Sequence, residues 1–152
     1  MTVTTFIKSA TLTLMITLTA GAPAMAGSNK VRITQWGYEN GVGAGQGGHR
    51  NRMSITQDGW RNTTIATQDG ARNRTVIGQS GRNNSIEAAQ SGRCNVLGVS
   101  QHGQGNTATA DQSGRCNALG VIQTGNGGNV DAVQRGRGNI AVIVQDRSPS
   151  EP

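Results

Sequence analysis

Asn51-Arg52-Met53-Ser54-Ile55-Thr56-Gln57-Asp58-Gly59-Trp60-Arg61 decides the fold. Asn51, Met53, Ile55 and Gln57 stand two apart, so in an extended chain all four point to one face. A helix would need its apolar positions to recur at three and four, and they do not. The segment therefore reads as a strand of seven residues with one buried face. Gly59 falls in the four residues that remain, where a tight reversal needs the positive φ that Gly supplies.

The same eleven residues recur along the chain without a gap. Gln occupies positions 35, 46, 57, 68, 79, 90, 101, 112, 123, 134 and 145 (Gln35, Gln46, Gln57, Gln68, Gln79, Gln90, Gln101, Gln112, Gln123, Gln134, Gln145). A Gly follows two residues later at Gly37, Gly48, Gly59, Gly70, Gly81, Gly92, Gly103, Gly114, Gly125 and Gly136; only Arg147 breaks that register. The unit opens on Asn at Asn29, Asn40, Asn51, Asn62, Asn73, Asn84, Asn95, Asn106, Asn117 and Asn139, with Gly128 as the exception. The pattern N-x-Φ-x-Φ-x-Q-x-G-x-x thus runs through eleven units over residues 29–149. All Φ positions but Thr64 and Thr75 are apolar. One such strand cannot bury its face alone, but a stack of them can, which is the logic of a solenoid.

The structural repeat is predicted to be 22 residues. At the second Φ, odd units carry Ile33, Ile55, Ile77, Val99, Val121 and Ile143, and even units carry Ala44, Ala66, Ala88, Ala110 and Ala132. Large and small residues never exchange between the two sets. Two facing sheets explain this, with bulky side chains on one wall packed beside small ones on the other. The predicted fold is all-β: a β-solenoid of strand–turn–strand rungs forming two parallel, in-register sheets, spaced roughly 4.7–4.9 Å per rung.

Gln and Asn share the inward parity, where an unpaired amide costs on the order of 1–3 kcal/mol. Stacked rung over rung, each amide donates to the next and accepts from the last, as in cross-β amide ladders. A solenoid leaves a row of unpaired backbone groups at each end. No capping unit is evident here. The last strand, Asn139-Ile140-Ala141-Val142-Ile143-Val144-Gln145, is apolar on both faces and uncharged, which suits addition of further strands. Eleven units also leave one sheet a strand longer than the other.

Residues 1–26 read as a secretory signal peptide: Lys8, then an apolar, Thr-rich run, then Ala24-Met25-Ala26 before Gly27. A short membrane anchor is the alternative, but the apolar run is brief for a span. Its removal takes away Lys8 and lowers the formal net charge from +6 to +5, leaving residues 27–152 as the repeat domain. That domain has no Phe, one Tyr and two Trp, too few aromatic rings for an ordinary core. The strict register also argues against disorder, despite the polar composition. A basic balance favours acidic surfaces.

Arg93, Arg115 and Arg137 lie 22 apart and are predicted to stack along one edge, with Arg50 and Arg72 as another such pair. Two readings apply: repulsion that slows premature assembly, or docking to acidic surfaces such as lipopolysaccharide, extracellular DNA or an acidic partner subunit. No reading helix or aromatic stacking platform supports sequence-specific nucleic-acid recognition. Cys94 and Cys116 share this spacing. Their Cα separation would suit a disulfide, although parallel side chains point the same way, so stacked free thiols are the rival. Without a nearby His they make no metal site. No acid/base pair, nucleophile–base pair or phosphate loop is visible, so no catalytic residue or cofactor is expected. Trp36, Tyr38 and Trp60 gather in the early turns, as surface contacts or as simple turn packing.

The N-x5-Q-x-G-x2-N-x5-Q pattern, as in Asn51 to Gln68, resembles the curlin repeat of bacterial curli fibres, over Asn29 to about Arg147. The resemblance implies a β-solenoid amyloid subunit, secreted through dedicated outer-membrane secretion and anchoring machinery. It implies assembly with other curlin subunits at the cell surface, for adhesion and biofilm matrix. It gives Asn29, Gln35, Asn40, Gln46, Asn139 and Gln145, in the terminal repeats, the role of promoting assembly. The unbroken eleven-residue step, basic charge and apolar last strand look more like the minor, nucleator-type subunit than the major one. A non-polymerising secreted solenoid that binds a surface is the remaining alternative. An ice binder would need a flat outward Thr array, which the mixed outward residues do not supply.

Overall fold

The computed structural model describes residues 2–8 and 28–147, the first segment by its backbone alone. Twelve strands and no helix make up these residues: β1 (Thr2–Lys8), β2 (Lys30–Tyr38), β3 (Gly41–Gln46), β4 (Arg52–Trp60), β5 (Thr63–Ala71), β6 (Arg74–Arg82), β7 (Ser85–Arg93), β8 (Val96–Gln104), β9 (Thr107–Arg115), β10 (Ala118–Asn126), β11 (Asn129–Arg137) and β12 (Ile140–Arg147).

They form a β-solenoid of two parallel sheets. The longer runs β1-β2-β4-β6-β8-β10-β12 and the shorter β3-β5-β7-β9-β11. From β2 to β12 every neighbour is in register at a step of 22, so Gln57 pairs Gln79 and Ala88 pairs Ala110. Odd units build one sheet and even units the other, as the Ile/Ala alternation predicts. Ile55, Ile77, Val99 and Val121 line one wall and Ala66, Ala88, Ala110 and Ala132 the other, all buried in one continuous core. Ala44, Ala141 and Ile143, at the two ends, are only partly covered.

The strands are longer than the seven residues the pattern predicts. Most span nine and carry the conserved-offset Gly inside the ladder, leaving a two-residue link such as Arg61-Asn62. The reversal is therefore shared. Gly81 has φ +113°, and a Cβ there would stand 1.9 Å from the carbonyl oxygen of Gly103 on the next rung. The second bend is the residue just before each Asn, left-handed at Arg61, Arg72, Asn83, Cys94 and Cys116, and occupied by Gly at Gly105, Gly127 and Gly138. Turns also stack on turns: the Arg61 N–H donates to the Tyr38 carbonyl at 3.0 Å, and the Asn83 N–H to the Trp60 carbonyl at 2.9 Å. Rung-to-rung hydrogen bonding thus continues around the corner.

Residues 9–27, with the cleavage motif, lie outside the described residues, as do 148–152. Within the expected signal peptide, β1 pairs in parallel with the outer edge of β2, Thr2 opposite Lys30 and Lys8 opposite Trp36.

Candidate functional site: the ends of the amide ladders

The eleven glutamines form two ladders, one per sheet. In the longer sheet Gln35, Gln57, Gln79 and Gln101 each donate Nε2–H to the Oε1 of the next rung at 2.7–2.9 Å, and Gln123 donates to Gln145 at 2.9 Å. In the shorter sheet Gln46, Gln68, Gln90 and Gln112 do the same, ending on Gln134, at 2.6–2.7 Å. The interior amides are buried. Every link points the same way, from the N-terminal towards the C-terminal end.

A directed ladder has two chemically different ends. At the start, Gln35 and Gln46 each have a buried Oε1 with no partner, and these are the only such side-chain atoms among the described residues. At the other end Gln145 accepts from Gln123 but its own Nε2 meets no acceptor, and Gln134 Nε2 reaches only the Ala118 carbonyl at 3.2 Å. One end thus presents bare acceptors and the other spare donors. β12 also projects past β11, with Ile140 82% and Val142 and Val144 67% exposed.

The asparagines form an amide-to-amide ladder only in part, at Asn84 to Asn62 (3.1 Å) and Asn117 to Asn95 (3.3 Å), and otherwise bond to the backbone. Asn62 donates Nδ2–H to the Asp58 carbonyl (3.1 Å) in its own turn and to the Gly81 carbonyl (3.0 Å), while its Oδ1 accepts the Asn84 backbone N–H (3.2 Å). Asn40, Asn51, Asn73, Asn84, Asn95, Asn106 and Asn117 repeat the two backbone donations. The cause is reach: Asn is one methylene shorter than Gln and sits beside the turn, where backbone carbonyls come first. Asn29 and Asn139, at the ends, make only part of this set. At Gly128 the side chain is missing, yet its N–H still donates to Asn106 Oδ1 at 2.9 Å.

Thr64 and Thr75 break the apolar pattern for a reason that pattern reading missed. Thr64 Oγ1 accepts from Gln57 Nε2 (3.1 Å) and donates to Gln79 Oε1 (2.8 Å), so it ties the shorter sheet to the ladder of the longer one. Thr75 links the opposite pair, Gln68 and Gln90. A hydroxyl at a core position beside a Gln column is the signal that could have shown this.

The turn residues divide between two edges. On one, Tyr38 and Trp60 meet at a tilt of 57° with ring centroids 6.4 Å apart and stay exposed, as does Trp36. Beside them Arg61 bonds to Glu39, which holds its guanidinium above the ordinary value. On the other edge lie Arg93 and Arg115, in register with Arg137, and here Arg50 and Arg72 join the same groove rather than a separate pair. Cys94 and Cys116 stand in that groove with Cα atoms 4.5 Å apart and their sulfurs bonded. The backbone is left-handed at both cysteines. Among the described residues no three of His, Cys, Asp and Glu gather as metal ligands.

No curated protein matches the chain significantly. The curlin associated repeat matches residues 28–59 and 61–92, within the first six of the eleven units. Repeats that carry the Gln, Gly and Asn columns of a stacked, open-ended solenoid thus match the repeat of one family, and the matches support placing this chain among the curlins.

Proposed function

We propose that this chain is a secreted structural subunit that adds end to end into curli-type amyloid fibres, and that it is the nucleating, minor type of subunit. The observation that carries this is the polarity of the ladders: bare Gln35 and Gln46 Oε1 at one end, spare Gln134 and Gln145 donors at the other. A second copy would satisfy both. The matched repeat and the solenoid point to a structural role rather than an enzymatic one. Fibres of this kind would serve adhesion and biofilm matrix at the bacterial surface, reached through secretion and anchoring machinery of the outer membrane.

The odd number of units constrains the joint. β12 has no strand opposite it, so a continuous stack requires the next copy's β2 to sit on β11 and its β3 on β12. Successive copies would then turn by half a revolution about the fibre axis. Gln134 would donate to the next Gln35, and Gln145 to the next Gln46. Residues 1–26 would be removed on export, and with them β1, which lies on the edge of β2 that must be free.

The test incubates the chain from Gly27 onward and follows thioflavin T fluorescence and fibre diffraction. Fibres with a 4.7–4.8 Å repeat along the axis are expected. A protein that stays monomeric and dye-negative would overturn the reading. Nucleation is tested separately, by adding trace amounts to a paired major subunit; no shortening of its lag phase would refute the minor-subunit role.

A further inference from the structure

Thirteen cationic residues follow residue 27, and they fall into two classes. Arg61, Arg82, Arg135 and Arg147 each have a partner: Glu39, Gln104, Asp111 and the Gly127 carbonyl. The other nine have no side-chain partner among the described residues, and all nine lie on one side of the solenoid. Arg50, Arg52, Arg72, Arg74, Arg93 and Arg115 line a single groove of about 850 Å³, bridged by the Cys94–Cys116 bond. Lys30 and Arg32 extend it at one end, in register with Arg52 and Ser54, and Arg137 at the other, in register with Arg115. No carboxylate lines it.

Like charges one rung apart, roughly 4.8 Å, repel. Four cations elsewhere have partners within the chain, so nine left bare on one side call for a ligand that arrives from outside. We propose that this groove binds a linear acidic polysaccharide, whose carboxylate or sulfate groups run along the solenoid axis. Guanidinium forks grip such oxyanions bidentately. The track is continuous from rung to rung, because register is kept along each sheet, and it suits an extended polymer bound through charge at many points. Single-stranded nucleic acid fits less well, since such sites interleave cations with aromatic platforms and the Tyr38–Trp60 ring pair lies on the opposite edge.

The proposal does not need fibre formation, because one molecule carries the groove. Its test therefore measures binding of the freshly prepared, monomeric chain to polygalacturonate, with heparin, neutral dextran and duplex DNA as comparisons. Polygalacturonate or heparin is expected to bind, and to weaken at least about tenfold between 50 and 200 mM salt. The triple variant Arg74→Ser, Arg93→Ser, Arg115→Ser should lose roughly tenfold or more at low salt. Arg61→Ser, Arg82→Ser, Arg135→Ser removes the same charge from elsewhere and should lose little. Arg74→Lys, Arg93→Lys, Arg115→Lys keeps the charge and controls for folding; it should lose less than the serine variant, the remaining loss measuring the bidentate grip. Equal loss in the two serine variants, binding of dextran as tight as polygalacturonate, or tighter binding of duplex DNA at equal charge would overturn it.

Discussion

Replacing Gln101 by Met tests whether the amides hold the solenoid together or merely fill space. Met has nearly the same length and volume, so packing changes little. Gln101 is 1% exposed. Its Nε2 donates to Gln123 Oε1 at 2.8 Å and to the Ser85 carbonyl at 3.1 Å, and its Oε1 accepts from Gln79 Nε2 at 2.9 Å. The substitution removes all three bonds. Gln79 keeps its bond to the Thr63 carbonyl at 3.1 Å, but Gln123 Oε1 is left buried without a donor. One stranded acceptor plus two weaker losses should cost about 2–4 kcal/mol. Urea unfolding of the dilute chain, followed by circular dichroism, reads this as a lower midpoint at unchanged slope. The same substitution at Gln145 loses one bond at a half-exposed end and should cost about 1 kcal/mol or less. A Gln101→Met variant within about 0.5 kcal/mol of the parent, or one no worse than Gln145→Met, would refute the ladder as a source of stability.

Gly81→Ala should cost more than Gln101→Met in the same urea titration, because it forces both a φ of +113° and a Cβ 1.9 Å from the Gly103 carbonyl oxygen; a mild effect would mean that the turn column can spread. Thr64→Val should lower stability by about 1–2 kcal/mol despite its matching shape, since Gln57 and Gln79 lose their cross-sheet hydroxyl; a neutral or stabilising result would deny the link. In assembled fibres, the pair Val144→Cys and Gly45→Cys should cross-link between copies and the pair Val144→Cys and Thr34→Cys should not, as the half-turn joint requires. The reverse outcome would favour straight stacking with a vacant strand position. The chain carrying residues 1–26 should elongate fibre seeds more slowly than the chain from Gly27, because β1 lies on the β2 edge; equal rates would show that this edge is not where copies add.

Much of this fold is legible because one period governs it. The inward parity of Asn, Φ, Φ and Gln sets the strand, and the Ile/Ala alternation separates the two sheets before any coordinate is known. What escapes is set by reach and by backbone conformation. The left-handed bend that closes each unit is hidden because Arg, Cys and Glu occupy it six times and Gly three times, and only Asn83, Gly105, Gly127 and Gly138 hint at it. Nothing in the pattern tells that Asn62 bonds to carbonyls while Gln57 bonds to another Gln, since both amides share a face and differ by one methylene. The direction of the ladders, and with it the difference between the two ends, appears only when donors and acceptors are placed. The basic groove escapes for another reason: Arg93 and Arg72 sit at neighbouring offsets, so their columns look separate along the chain and merge only at the turn.

Mass per unit length of unstained fibres tests the central claim most directly. A solenoid of eleven strands shared between two sheets advances about 26 Å per chain, half a rung of roughly 4.8 Å for each strand. The account predicts one chain per about 26 Å of each protofilament. One chain per layer of roughly 4.8 Å, as in flat cross-β stacks, would contradict it.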